Sequence, residues 1–208
     1  MSNPRFSLPH LRELHLQLQR NRKVNAGNED AVVESLREIA EMVVYGDNKS
    51  EMLCDFFCEK NMLSLFLEIM WQEGGCPNTV LLQILQTLSI LVNCVRNDTS
   101  LYYLLSNNYI NEIIMYPYDF GDDENLVDQF VSFMKSLSLR LDFKTVQFFF
   151  NQEDDAFPLL TRATELLTHD EAMVRIASQT IILNVFRVDD SRSREHALQE
   201  EVLNGMFK

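Results

Sequence analysis

Cysteines and histidines are the residues of this chain best suited to bind a metal ion or to act as nucleophiles, and each type occurs four times. Cys54 and Cys58 are one helical turn apart, beside Phe56 and Phe57, so their two thiols could face one ion. A structural zinc site needs four ligands, and no further Cys or His pair stands at a suitable spacing. We therefore expect no metal site, with Cys54 and Cys58 reduced and buried as small apolar side chains.

The histidines form no catalytic pattern with one another. His10, His15, His169 and His196 are dispersed along the chain, whereas a general base needs a partner that positions it. The sequence also lacks a Gly-rich phosphate loop and a G-x-S-x-G nucleophile motif. These observations predict a protein that is not an enzyme, has no catalytic residue and needs no cofactor.

Two further clusters could suggest ligands, and both are better explained by structure. The acidic turn with Asp119, Asp122, Asp123 and Glu124 lacks the alternating oxygen ligands and the late Glu of a calcium loop, so it is predicted to cap a helix. Residues 148–150 are three phenylalanines that could enter a membrane. In a short helix of a repeat they are predicted to be core.

The charge balance excludes one class of partner. The chain has 31 acidic and 18 basic residues and a net charge of −13, whereas phosphate binding requires a basic face. We expect no nucleic-acid partner and no general adsorption to anionic lipid. The acidic surface is predicted to maintain solubility, with a basic protein partner as the alternative. No stretch approaches the ~20 apolar residues that cross a bilayer, and the polar start lacks a signal-peptide core, so we predict a cytoplasmic protein.

The elements that would hold these residues follow an internal repeat. Ile39, Leu88, Leu137 and Ile181 occupy equivalent places in four similar segments, at steps of 49, 49 and 44 residues. A repeat of this length is typical of stacked helices of the armadillo or HEAT kind. Each later repeat is predicted to hold one short and two longer helices, which favours armadillo because HEAT repeats have two. We predict an all-α, armadillo-like, right-handed helical solenoid of about four repeats, with these equivalent residues buried.

Local residue types give three specific expectations. Gly46 is predicted to end the second helix, as a glycine just past a helix C-terminus does. Asn107 and Asn108 are predicted to form a sharp corner between two helices, because Asn tolerates a left-handed backbone. Tyr102 or Tyr103 is predicted to be partly buried, with its hydroxyl meeting a polar neighbour.

The third helix of each repeat carries the candidate binding residues. In armadillo folds this helix lines a concave groove, and amide and cationic side chains there would suit the backbone of an extended peptide. The alternative is an ordinary solvated helix face. The candidates are Gln83, Gln86, Asn93, Lys135, Arg175, Gln179 and Asn184.

Several segments are more specific than a generic helical repeat. They are residues 45–47, 56–62, 101–110, 173–177 and 183–188, together with the triplet Phe157-Pro158-Leu159. These segments closely resemble the FPL domain, which forms the N-terminal part of the C-type lectin domain family 16 member A, endosomal maturation defective and transparent testa nine family. The resemblance covers residues 6–190, and it leaves residues 191–208 as a polar linker and the start of a further helix.

The resemblance implies a non-enzymatic adaptor in endosome and lysosome trafficking and in autophagy, including mitophagy. It implies partners among vacuolar tethering-complex subunits or ubiquitin-ligase machinery, and peripheral association with endosomal or lysosomal membranes. The alternative is an accessory subunit or domain of a ubiquitin-ligase assembly. Members of this family are much longer than this chain. We therefore also expect the final helix, with Leu203 and Phe207, to expose an apolar face that promotes self-association.

Overall fold

The described part of the chain is built from helices alone. The computed structural model describes residues 4–49, 51–121, 123–150 and 156–198, and these contain eleven α-helices, three short 3-10 helices and no strand. The 3-10 helices are Pro4–Phe6, Val146–Phe149 and Leu166–Thr168. The α-helices are α1 (Leu8–Arg20), α2 (Glu29–Lys49), α3 (Glu51–Glu59), α4 (Met62–Met70), α5 (Asn78–Cys94), α6 (Asp98–Leu105), α7 (Tyr109–Met115), α8 (Glu124–Ser138), α9 (Pro158–Glu165), α10 (Ala172–Phe186) and α11 (Ser191–Ala197).

The chain divides into two units, and the first comprises Met1–Leu104. In this unit α2 packs against α5 and also contacts α1 and α3. Ile39 from α2 and Leu88 from α5 are fully buried, as the repeat predicts. The buried hydroxyl of Thr87 donates a hydrogen bond to the Leu36 carbonyl at 3.2 Å. A polar bond therefore joins the two helices inside the apolar contact, which satisfies a hydroxyl that would otherwise be costly to bury.

The second unit comprises Leu105–Lys208, and α10 lies at its centre. This helix packs against α8, α9 and α11. Leu137 from α8 and Ile181 from α10 are fully buried, which confirms the burial predicted for both. The Arg162 guanidinium in α9 donates to the carbonyls of Ile114 at 3.2 Å and Tyr116 at 3.0 Å. Since the last carbonyls of a helix lack partners within it, this side chain closes the C-terminal end of α7.

Gly46 does not end its helix, so that prediction is wrong. Helix α2 continues to Lys49, and Gly46 lies inside it. A Cβ atom at this position would stand 2.7 Å from the Leu53 Cβ of α3 and 3.4 Å from the Cys54 sulfur. The residue is therefore glycine because α3 passes close to α2, and the helix accepts the lower propensity of glycine at this point.

The asparagine corner is confirmed. Asn107 and Asn108 have φ angles of 61° and 63°, and Asn108 immediately precedes α7. Asn61 has the same left-handed backbone before α4, with φ of 50°. The half-buried Tyr103 donates its hydroxyl to the Asn61 side-chain oxygen at 3.2 Å, which confirms the predicted polar partner. Asparagine therefore supplies the turn before a middle helix in both places.

The two clusters that resembled ligand sites have structural roles. Asp123 accepts a hydrogen bond from the backbone N–H of Leu126 at 3.2 Å and so caps α8. Phe149 and Phe150 are buried, while Phe148 is half-buried, so the phenylalanine run belongs mainly to the core. Asp122 lies outside the described residues. The expected apolar face at Leu203 and Phe207 also lies outside them.

Candidate functional site

Four α-helices carry the repeat-equivalent residues, and their outward sides are the candidate surfaces, one in each unit. These helices are α2, α5, α8 and α10, and we call Leu88, Leu137 and Ile181 the buried row. A helix turns by about 100° per residue, so a residue two positions after a buried one points to the opposite side. Each helix therefore presents a second surface that the fold does not use for its core.

In the first unit, the predicted groove residues have different environments. Gln83 of α5 is buried, and its amide donates to the Thr87 hydroxyl at 3.3 Å. This amide belongs to the polar link between α2 and α5. Gln86 is half-buried and Asn93 is exposed, so both reach the surface of α5. A partner could contact Gln86 and Asn93 directly, whereas Gln83 faces the interior.

In the second unit, two of the four predicted residues hold the fold together. The Arg175 guanidinium donates to the carbonyls of His169 at 2.6 Å and Asp170 at 2.7 Å, and so fixes the turn before α10. The Asn184 amide donates to the Ser138 hydroxyl at 3.0 Å and joins α10 to the end of α8.

The other two predicted residues of this unit reach the surface. Lys135 is exposed on α8 and Gln179 is half-buried on α10. A partner-binding role for the seven candidates remains a prediction.

Three exposed aliphatic residues were missed by the sequence interpretation. Ile90, Leu139 and Leu183 each stand two positions after a member of the buried row, and we call them the exposed row. Their exposures are 42%, 63% and 52%. The signal was present in the repeat, because the same offset carries a large aliphatic residue three times. Apolar residues at helical spacing are predicted to lie in the core, so periodicity alone does not mark these three as exposed.

The two cysteines of α3 differ in their exposure. Cys54 is buried, as predicted, and its thiol donates to the Val43 carbonyl at 3.4 Å. Cys58 is half-buried rather than buried, since one side of α3 faces solvent. Burial raises the pKa of the Cys58 thiol to about 12, with smaller contributions from Cys54, Asp55 and Glu59. A protonated thiol is a poor nucleophile and a poor metal ligand.

The histidines make contacts between packed elements. The His10 Nε2 atom of α1 lies 2.7 Å from a Glu38 carboxylate oxygen of α2. His15 of α1 stands edge-on to Phe56 of α3, with ring centroids 5.8 Å apart. His169 accepts a hydrogen bond from the backbone N–H of Glu171 at 3.2 Å, and so serves the turn before α10.

His196 of α11 has its ring centroid 5.3 Å from that of Phe150. Within the described ranges, no three His, Cys, Asp or Glu side chains come together as a set of metal ligands. Nor do those ranges contain a helix with the length and hydrophobicity that a membrane span requires.

These observations define a protein whose described part is helical throughout and in which α5, α8 and α10 each present one buried and one exposed aliphatic residue of the two rows. The chain belongs to the FPL family, whose model, described as an uncharacterised conserved protein, matches residues 36–186. It is 48% identical over 186 residues to the Protein CLEC16A homolog of Drosophila melanogaster. It is 43% identical over 196 residues to Protein CLEC16A of Homo sapiens. It is 36% identical over 197 residues to Protein TRANSPARENT TESTA 9 of Arabidopsis thaliana.

The matches cover most of this chain but a small part of each relative. They include 89% of the chain for the fly protein, 94% for the human protein and 93% for the plant protein. The same matches span 17%, 18% and 23% of those relatives. No solved structure matches the chain.

Proposed function

We propose that this chain is an armadillo-like, right-handed helical solenoid of about four repeats that acts as a non-enzymatic adaptor in endosome and lysosome trafficking and autophagy, including mitophagy. In this proposal its third helices form the binding surface. Its partners are vacuolar tethering-complex subunits, and the protein lies in the cytoplasm, peripherally on endosomal or lysosomal membranes.

The helix pairing within each unit supports the solenoid. In the first unit α2 packs against α5, and in the second α8 packs against α10. Each pair joins two helices whose equivalent residues, such as Leu137 and Ile181, are fully buried. Stacked repeats bury their apolar faces on their neighbours in this way. Contact between equivalent third helices is therefore the arrangement that an armadillo-like stack requires.

The exposed row carries the interaction function. Large aliphatic residues that recur at one exposed helix position are costly in water, and exposed apolar surface within a unit can mark a site of protein interaction. Gln86, Lys135 and Gln179 occupy one equivalent position on the same helices and could supply polar contacts around it. Membership of the FPL family and the sequence resemblance to its trafficking members support the trafficking assignment.

Proximity labelling in cells of the source organism would test this function. The chain would carry a labelling enzyme and would be compared with the variant Gln86→Ala/Lys135→Ala/Gln179→Ala, after circular dichroism has shown equal helix content. We expect enrichment of endosomal tethering subunits by the natural sequence and lower enrichment by the variant. Enrichment of ubiquitin-ligase subunits in their place would favour the accessory-domain alternative. Enrichment of neither group would reject the proposed function.

A further inference from the structure

We propose that the exposed row, together with the cations beside it, binds acidic peptide segments that carry large aliphatic side chains. This inference rests on the proposed interaction function and adds the chemical class of the ligand. Each of the two units has its own exposed-row residues and cations.

In the second unit, two members of the exposed row lie next to residues that join α8 to α10 by a hydrogen bond. The Asn184 amide donates to the Ser138 hydroxyl at 3.0 Å, which holds that part of α10 beside the end of α8. Leu139 directly follows Ser138, and Leu183 directly precedes Asn184. Both leucines are more than half exposed. A ligand aliphatic group placed here could therefore contact both helices.

The apolar surface continues along α10. Met173 and Ile176 are more than half exposed, and Phe186 is 44% exposed. With Leu183 they form one stripe on the side of α10 away from its buried residues. A helix that is apolar on both sides is normally covered on both sides. Helix α8 covers one side of α10, and the stripe is the side available to a partner.

Two cations lie beside the C-terminal part of this stripe. Lys135 is exposed on α8, and the exposed Arg187 follows α10. Among the described residues neither forms an ion pair with a carboxylate, and two acids close to them in the sequence have other partners. Asp142 accepts hydrogen bonds from the backbone N–H groups of Lys144 and Thr145, each at 2.8 Å. Asp189 pairs with Arg194 at 3.0 Å.

In the first unit, an exposed-row residue also lies beside other apolar side chains and a cation. Ile90 of the exposed row lines an open cleft with Val44, Tyr45 and Phe6, and the rings of Phe6 and Tyr45 stack with centroids 4.4 Å apart. The Lys49 amine stands 5.8 Å from the Tyr45 ring centroid at the edge of this cleft.

The carboxylate of this cleft is already neutralised. Glu41 pairs with Arg5 at 2.8 Å, which leaves Lys49 as the cation that an incoming ligand would meet.

This charge arrangement selects an acidic ligand. The whole chain has a net charge of −13, but charges farther than about 8 Å from the contact are largely screened at physiological ionic strength. A segment bound to the first unit would therefore meet Lys49, and one bound to the second unit would meet Lys135 and Arg187. Ligand carboxylates near these cations would favour acidic over basic segments, while burial of the aliphatic groups would supply the affinity.

Fluorescence polarisation with synthetic peptide pools would test this proposal on the 208-residue chain. One labelled pool would combine Leu with Asp and Glu, a second would replace the acids with Lys and Arg, and a third would replace Leu with Ala. We expect the acidic leucine pool to bind most tightly. The exposed-row variant Ile90→Gln/Leu139→Gln/Leu183→Gln should weaken that binding by about tenfold or more.

Two further variants separate the contribution of the exposed row from that of the cations beside it. The matched control Leu16→Gln/Met52→Gln replaces aliphatic residues of similar exposure outside the proposed surface, and it should bind like the natural sequence. The variant Lys49→Gln/Lys135→Gln/Arg187→Gln should lose the preference for acidic over basic pools.

Three outcomes would overturn this inference. The first is equal or tighter binding of the basic leucine pool, and the second is unchanged binding by the exposed-row variant. The third is self-association in sedimentation that the exposed-row variant abolishes, which would assign the surface to a second copy of the chain. Failure of endosomal labelling with intact peptide binding would reject only the proposed cellular function. Intact labelling without peptide binding would reject only the ligand class.

Discussion

Leu137 and Leu139 have the same side chain, stand two residues apart and meet opposite environments. Leu137 is fully buried, while Leu139 is 63% exposed. The same contrast separates Leu88 from Ile90 and Ile181 from Leu183. Burial here is set by the angular position on the helix and not by hydrophobicity, because every member of both rows is a large aliphatic residue. On each of these three helices one side is buried in the fold, and the opposite side is the one that we propose contacts a partner.

Truncating the buried row should produce the largest effect. Leu137→Ala removes buried methyl groups from the contact between α8 and α10 and leaves a cavity, so it should cost about 2–5 kcal/mol of unfolding free energy. Leu139→Ala is the matched control and should change stability by less than about 0.5 kcal/mol. Urea denaturation would measure both. Equal losses at the two positions would remove the distinction between the rows.

Adding a methyl group where α2 lies close to α3 should be the next most destabilising change. Gly46→Ala gains helix propensity, but its Cβ atom would meet the Leu53 Cβ at 2.7 Å. We expect a net loss of about 1–3 kcal/mol, because α3 must move away from α2. Thermal unfolding would detect the loss. A more stable Ala variant would show that Gly46 does not mark a close helix contact.

The asparagine corner should contribute less than the buried row. Asn108 has φ of 63°, and Asn108→Ala should cost about 1 kcal/mol because alanine disfavours the left-handed region. Asn108→Gly is the control and should retain or increase stability at this position. Peptide binding should be the same in both variants at a temperature where both are folded. Loss of binding without loss of stability would make this corner part of the site.

The smallest expected effect is a pH dependence that arises in α1. Burial lowers the pKa of His15 from its ordinary value of 6.5, and Lys60 and Arg22 lower it further. The unfolded chain therefore binds a proton at His15 more readily than the folded chain does. The unfolding free energy is consequently unaffected by His15 above about pH 6.5 and decreases as the pH falls below that value.

His15→Gln tests this dependence. The urea midpoint of the natural sequence should fall more between about pH 7.5 and 5.5 than that of the variant. If the urea midpoints of the two proteins fell equally over this pH range, His15 would be excluded as the cause.

Two kinds of feature make parts of this fold predictable from the sequence: apolar residues at helical spacing, and residue types that strongly favour one backbone conformation. Leu137 and Ile181 were assigned to the core because they recur at helical spacing, and Asn108 was assigned to a corner because few other residues accept that backbone. Gly46 was misassigned because glycine serves equally well past a helix end and at a close helix contact. Only the neighbouring helix distinguishes these uses.

The candidate site was less predictable for a related reason. Because polar residues are usually exposed, the sequence predicts Gln83 in a groove. In the structure its amide is buried against Thr87. Assigning apolar residues to the core concealed Leu139 and Leu183. A binding surface departs from the usual hydrophobic pattern, so composition alone does not reveal it. Comparing equivalent positions across the repeats would have revealed the recurring aliphatic residue.

The central claim is that the exposed row is dispensable for folding and required for binding. Urea denaturation of the natural chain and of Ile90→Gln/Leu139→Gln/Leu183→Gln, each with and without the acidic leucine peptides, tests both halves together. Without peptide, the unfolding free energies of the two proteins should agree within about 0.5 kcal/mol per site. Peptide at about 100 times its dissociation constant should stabilise the natural chain by about 2.7 kcal/mol and the variant much less. A variant that is strongly destabilised without peptide, or one that the peptide stabilises equally, would contradict the account.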